Sequence, residues 1–273
     1  MEGVEAWREE RYRRLREPMS WLTLVGLEWL REGENRLGSA PDAELRLPSG
    51  PLIAGRLRRD GRRVTAHGES GAGLLHLGSE VRDLELVSDE DAPEDEKPTL
   101  LELGSLRMVL VRRGERLGLR VWDTEAAALH TFTGIPHYAV DPAWRIVARF
   151  ERAAPGETFL VPDVLGELEE EPLPGTVLLH LERATHRIRA MDGGDGQLWL
   201  VFGDATNGDT TYGGGRFLYT DPPTDDGTVI VDFNRAYNPP CVFSPYATCP
   251  LPPPENRLPV RIEAGERLGV ISR

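Results

Sequence analysis

The chain is poor in cysteine: Cys241 and Cys249 are the only two in 273 residues. That argues against a small fold stapled by disulfides, and in a reducing compartment such a pair is expected to stay as thiols. No segment approaches the ~20 apolar residues that a membrane-spanning helix needs. The opening MEGVEAWREERYRRL contains nothing resembling a signal peptide. Cytoplasmic residence and no membrane partner are the expectations. Positive charge is in deficit too, since 32 Lys and Arg face 45 Asp and Glu, for a formal net charge of −13. Such a surface repels phosphate backbones and anionic lipid, so nucleic acid is not an expected partner. None of the six His falls in a metal-ligand spacing such as HExxH. No metal site is assigned from spacing, no motif identifies a cofactor, and nothing indicates an oligomeric state.

Gly and Pro are plentiful, 29 and 22 residues spread along the chain, which reads as many short strands joined by turns. The beginning differs. Val4, Trp7 and Leu15 fall near one face of a helix that Pro18 ends, with Arg and Glu filling the rest, so a helix packed against the body is predicted. The very apolar SWLTLVGLEWL (20–30) is expected to join it to the first sheet. Apolar stretches follow at 44–47, 52–57, 63–66, 74–77, 81–87, 106–112 and 117–121, at the turn spacing of a β-sandwich. The β character resumes at 146–150, 158–161, 177–181, 198–202, 217–219 and 229–233. Two acidic runs, SDEDAPEDE (88–96) and GELEEEP (166–172), are expected to be solvated loops. The tail 239–259 holds eight Pro, which fix φ and lack a backbone donor. It also carries Val242, Phe243, Tyr246 and Leu251, so an ordered wrap that buries them is expected. The fold class is therefore mostly β: an N-terminal helix and connector (1–30), a β-sandwich domain (31–123), and a second β domain (124–273) that ends in the Pro-rich wrap and carries the candidate site.

EGENRLGSAPDAELRLP (32–48) resembles the opening of a forkhead-associated-type sandwich, in which a Gly-rich turn links the first two strands. That resemblance implies phosphothreonine binding through an Arg just after the first motif Gly and a Ser-x-x-His turn. Here Arg36 precedes Gly38, and SGPLIAG after Pro48 has no His, so the resemblance carries the fold and not the ligand. A second resemblance is longer. GDATNGDTTYGGGRFLYT, VIVDFNRAYNPPCVFSPYATCPLPPPENRL and FTGIPHYAVDPAWRIVARF (132–150) together resemble an uncharacterised prokaryotic family, domain of unknown function 1684. It implies no activity, so the residues themselves have to indicate one.

Asp204 and Thr206 directly follow the apolar run LWLVF, and Asp232, Asn234 and Arg235 stand at the end of TVIVDF. Polar groups at strand ends become neighbours when the strands pair. Thr210, Thr211, Tyr212 and Arg216 border the glycines at 213–215, which permit close backbone approach to a ligand. With Tyr138, Tyr237 and Asn238 these residues define a candidate polar pocket in which Arg216 or Arg235 pairs with a carboxylate or phosphate. The same residue types cap turns and supply positive φ, so a structural use of the segment stands beside the binding one.

Three functions are consistent with these residues. The first is a module that binds a small anionic or polar molecule in a C-terminal β pocket. The second is a hydrolase using Asp204 and Asp232 as acid and base, directly or through a metal that His137 helps to hold. The third is a protein-interaction module centred on the N-terminal sandwich. Cys241 as a nucleophile would need His130 or His137 as its base. The competing reading has both cysteines, Cys241 above all, buried as small apolar groups that pin the Pro-rich tail.

Overall fold

The computed structural model describes residues 2–269. Its contacts divide the chain into two compact units, one formed by Arg14–Thr131 and the other by Met1–Arg13 together with Phe132–Arg273. Among the described residues no helix is long and apolar enough to cross a membrane.

The unit Arg14–Thr131 contains β1 (Leu24–Trp29), β2 (Gly33–Gly38), β3 (Leu45–Arg46), β4 (Gly55–Asp60), β5 (Arg63–Gly68), β6 (Leu75–His76), β7 (Ser79–Glu80), β8 (Leu84–Glu85), β9 (Leu100–Leu103), β10 (Leu106–Arg113) and β11 (Arg116–Asp123). They form two sheets, in the orders β1-β11-β10-β9-β6-β7 and β3-β2-β4-β5-β8. Leu37, Leu57, Val64 and Ala66 from the second sheet share one core with Leu101, Met108, Leu110 and Leu119 from the first. This is a sandwich, with alternate residues of each strand turned inward. The apolar connector expected at 20–30 is itself largely strand: β1 pairs antiparallel with β11, and Gly26 lies close against Val121. Its run shows no clear period because both faces are at least half covered. The acidic run 88–96 is a loop, but Arg112 and Arg113 hold it through Asp89, Glu90 and Asp91 at 2.9–3.2 Å.

In the other unit, α1 (Glu2–Leu15) contributes its residues up to Arg13, with Val4 buried. The strands are β12 (Arg145–Arg152), β13 (Thr158–Pro162), β14 (Leu168–Pro172), β15 (Gly175–Leu181), β16 (Ala184–Asp192), β17 (Leu198–Phe202), β18 (Arg216–Tyr219) and β19 (Thr228–Asp232). Six of them make one antiparallel sheet in the order β18-β17-β16-β15-β12-β19. Beyond β19 the chain turns back to the far edge. Phe217 and Tyr237 exchange both backbone hydrogen bonds, at 2.9 and 2.8 Å, so the sheet closes on itself there like a barrel. The acidic run at 166–172, expected to be a loop, is mostly β14, paired with β13 in a separate hairpin. Its glutamates alternate between faces instead of stacking their charge, and Thr158 Oγ1 donates to Glu170 at 2.6 Å. No apolar run marks β16, because only Ile188, Ala190 and Met191 of its nine residues are buried.

The core of this unit gathers Phe150, Val177, Leu179, Leu200 and Val231 from the sheet. To these the end of the Pro-rich tail adds Leu258, and the chain beyond it Val260, Ile262 and Ala264. The tail is anchored by Val242, Ala247 and Cys249, all buried, whereas Tyr246, expected inside, is 39% exposed. Where the tail enters the sheet, β16 and β17 pair only through Met191↔Trp199 and Asp192↔Leu198. Asn256 fills the gap beyond. Its Oδ1 accepts from Arg189 N at 2.8 Å, and its Nδ2 donates to Arg189 O and Val201 O, both at 2.9 Å. Asn256→Ala leaves these three backbone groups without partners and is expected to lower the unfolding free energy by about 2–4 kcal/mol. A urea titration checks this: the midpoint should fall with the slope unchanged.

Candidate functional site

The inward-facing residues of β18 include Arg216, which is fully buried, as is the Asp204 carboxylate just after β17. Arg216 Nη2 donates to Asp204 Oδ2 and to Ile262 O, each at 2.8 Å. Its Nη1 donates to Ala264 O and, at 3.3 Å, to Glu266 O. Asp204 Oδ1 accepts from Thr206 N at 2.8 Å, Thr206 Oγ1 at 2.6 Å and Ile262 N at 3.2 Å. Oδ1 thus accepts three of these four hydrogen bonds and Oδ2 one, all from the chain itself, and the side chain is closed to solvent, so the Asp204 carboxylate serves the fold. The rest of the loop bonds to itself: Thr211 Oγ1 lies 2.8 Å from Thr206 Oγ1 and accepts from Asn207 Nδ2 at 2.9 Å.

Asp232 and Asn234 form a second cluster. Asn234 Oδ1 accepts from Asp141 N at 3.0 Å, and its Nδ2 donates to Asp141 O and Asp232 Oδ1, both at 2.9 Å. Arg235 Nε lies 3.9 Å from Asp232 Oδ2. No hydrogen bond or ion pair among the described residues joins this cluster to Asp204 and Arg216. The remaining candidates stand around α1 and the tail. Tyr138 Oη is 2.5 Å from Thr210 Oγ1, and Tyr237 stacks on Tyr219 at 6.2 Å under the Arg11 guanidinium. Burial, helped by Tyr219, pushes the Tyr237 hydroxyl far above its ordinary pKa and keeps it protonated. Asn238 N donates to Glu266 Oε2 at 2.7 Å, and its Nδ2 to Arg267 O at 3.0 Å. The ring of Tyr212 lies against Gly214, and its hydroxyl reaches Cys241. His137 sits elsewhere, with Nδ1 3.3 Å from Tyr12 Oη. Among the described residues no three or more His, Cys, Asp or Glu side chains are placed to hold a metal ion.

A cavity opens at the opposite end of the sheet, where β17 begins and β12 ends. Its volume is about 300 Å³. Phe150, Leu198 and Pro174 supply apolar wall, with Pro222 and Pro223 beside them, and Arg152, Asp192 and Gln197 supply the polar groups. The sequence reading passed over these residues. Their only signal was a pair of turns, GGDGQ and DPPT, at the ends of adjoining strands.

A family model described as "Protein of unknown function (DUF1684)" matches residues 130–267. The chain belongs to this family. The DUF1684 region takes in all eight strands of the C-terminal sheet and hairpin, the Asp204–Arg216 cluster and the cavity. Among solved structures, this DUF1684 protein is similar to the uncharacterized protein from gene locus rrnAC0354 of Haloarcula marismortui, determined by solution NMR. The two are 28% identical, the match covers 50% of this chain and 77% of the other, and the TM-score is 0.42. No curated protein matches.

Two outcomes follow from this geometry. Arg216→Met leaves Asp204 buried without its partner and three carbonyls without donors, so a stability loss of about 3–5 kcal/mol is expected in chemical denaturation. Arg216→Lys should recover little of it, because one ammonium cannot reproduce the guanidinium fork. The second outcome concerns pH. Burial lowers the pKa of His137 below 6.5, Arg8 and Arg11 add to the effect, and Glu266 opposes it. The unfolded chain thus binds this proton more readily. The stability His137 contributes is complete above its unfolded pKa and declines as pH falls from about 6.5 towards the folded value. The urea midpoint should therefore drop more between about pH 7.5 and 5.5 in the wild type than in His137→Gln.

Proposed function

We propose that this DUF1684 protein binds a small polar molecule with an anionic group, a carboxylate or phosphate, in the cavity between the ends of β12, β15 and β17. The observation that carries the reading is the state of Arg152. Its guanidinium has no hydrogen-bond or carboxylate partner among the described residues and rests 5.7 Å above the Phe150 ring. Arg36, Arg112, Arg113 and Arg261 each hold a carboxylate. Arg145, Arg149 and Arg183 hold none among the described residues, but Arg152 is the arginine that lines the cavity, which supports a role towards an outside anion. The side-chain amide of Gln197 is likewise unbonded and supplies a second polar contact. Apolar walls built on Pro174, Pro222 and Pro223 hold their shape without ordering cost and strip water from the ligand, the usual make-up of a small-molecule site. Asp192, whose Oδ1 already accepts from Gly194 N at 2.9 Å, favours a ligand that also carries a hydroxyl or ammonium donor.

Titration of the isotope-labelled protein with inorganic phosphate and with succinate, followed by amide chemical shifts, tests the reading. Saturable shifts confined to the neighbourhood of residues 150–152, 192–198 and 222–223 are expected for at least one probe. Arg152→Gln should weaken that binding about tenfold or more, equivalent to losing one charge-assisted contact. Shifts spread over the surface arginines, or an unchanged affinity in Arg152→Gln, would sink the proposal.

A further inference from the structure

The two cysteines close a nine-residue loop whose ends touch. Cys241 lies in the single helical turn Pro240–Val242, and its backbone N–H donates to Cys249 Sγ at 3.2 Å. The loop between them is held compact by its own bonds, Ser244 N to Pro240 O at 3.1 Å and Tyr246 N to Ser244 Oγ at 3.2 Å. Its far end is tethered to the β13–β14 hairpin, through Val164 N to Cys249 O at 3.0 Å and Leu251 N to Pro162 O at 2.6 Å. Neither cysteine is in a disulfide. They are not equivalent. Cys249 is 2% exposed, whereas Cys241, expected to be the buried one, is partly open to solvent. The helical turn lifts Cys241 towards the surface, while the hairpin holds Cys249 down.

We propose that Cys241 and Cys249 form a redox-active dithiol, in which Cys241 attacks a low-molecular-weight disulfide and Cys249 resolves the product to an intrachain disulfide. In the first step the Cys241 thiolate forms a bond to one sulfur of RSSR and expels RS⁻. In the second, the Cys249 thiolate attacks Cys241 Sγ and expels the other RS⁻. Two thiolates are oxidised, one disulfide is reduced to two thiolates, and the protons of Cys241 and Cys249 pass to solvent or to the released RS⁻. The division of labour follows from placement, since the open thiol meets the oxidant and the covered one meets only its neighbour. The side-chain hydrogen bond to Cys249 and a second one to Tyr212 outweigh burial and lower the Cys241 thiol from 9 to about 7. A good part of it is therefore thiolate at neutral pH. Among the described residues no hydrogen bond joins His130 or His137 to Cys241.

The experiment exposes the native full-length protein to glutathione disulfide, quenches with acid, and measures intact mass and peptide map. A product two hydrogens lighter, with Cys241 joined to Cys249 and no lasting glutathione adduct, is expected. Its rate of formation should level off once the pH passes about 7, whereas an ordinary thiol would continue to gain rate up to about pH 9. Cys249→Ser should stop at a mixed disulfide on Cys241, and Cys241→Ser should react only after denaturation. Because the wild-type arm needs no substitution, misfolding of a variant leaves the result intact. A persistent adduct on wild-type Cys241, first reaction at Cys249, or no reaction before denaturation would overturn the assignment.

Discussion

The segment 258–266 sends Leu258, Val260, Ile262 and Ala264 into the core yet has no complete strand beside it, so its backbone needs partners that a sheet would ordinarily supply. The molecule meets this demand group by group. Leu258 N bonds Gly203 O and Ala205 N bonds Val260 O, at 2.8 and 2.9 Å. Asp204 takes Ile262 N, and Arg216 takes the carbonyls of 262, 264 and 266. Further on, Tyr138 N caps Gly265 O and Ala236 O receives Glu266 N, at 3.0 and 2.8 Å. Burying a charged pair carries a desolvation cost of several kcal/mol per ion, which Coulomb attraction alone does not reliably offset. Here the offset comes from the carbonyls and amides that the two side chains satisfy in addition to each other.

Buried asparagines extend the same solution. An Asn amide presents the donor and acceptor of a peptide group at the end of a short arm. Asn256 bonds both backbone groups of Arg189, Asn234 bonds both of Asp141, and Asn35 in the other unit bonds both of Arg31, each at 2.8–3.0 Å. All three are at most 2% exposed. Each stands where regular pairing lapses: between β16 and β17, beside the turn after β19, and at the entry to β2. Side chains thus serve as short pieces of ladder. Apolar replacements of the same size would take this partner from two to four backbone groups.

This explains what the sequence could and could not reveal. Strands with apolar runs, such as β12 and β15 with one buried face and β10 and β17 with both faces covered, were legible because burial imposes their composition. β14 and β16 were not, since acidic and basic residues fill their outer faces and pairing depends on neighbours far along the chain. At the candidate site, the density of Asp, Asn, Thr, Gly and Arg in 203–216 and 232–238 was a true signal of specialised geometry. What it could not disclose was the recipient of the hydrogen bonds. Asp204, Arg216 and Asn234 spend theirs on the chain itself, in large part at segments 46 to 93 residues away, and for Asp204 and Arg216 that destination depends on the path of 262–266. The cavity at the other end escaped notice for the opposite reason. Its walls are turns of Pro and Gly with few polar groups, and only the fold shows which arginine lines it.

Glu266 shows how far this dependence reaches. Its carboxylate is fully buried, bonded to Asn238 N and held by Arg11, whose guanidinium also donates to Asn238 O at 2.9 Å and lies 4.6 Å over Tyr237. Tyr12 adds a hydrogen bond to Ile135 O at 2.9 Å. The family match begins at residue 130, so α1 lies outside it. Without α1, however, Glu266 would be a buried carboxylate with no cation, an arrangement that destabilises strongly. The helix is therefore a working part of the C-terminal unit, although residues 14–131, which intervene in the sequence, form a unit of their own. Contacts between residues 11 and 266 close almost the whole chain into one loop, and the entropy of that closure has to be met before they yield any stability. The sheet of the C-terminal unit draws on pairings far closer in sequence. On this reasoning it forms first, and the ion pair of Arg11 with Glu266 locks the end of the clamped segment last.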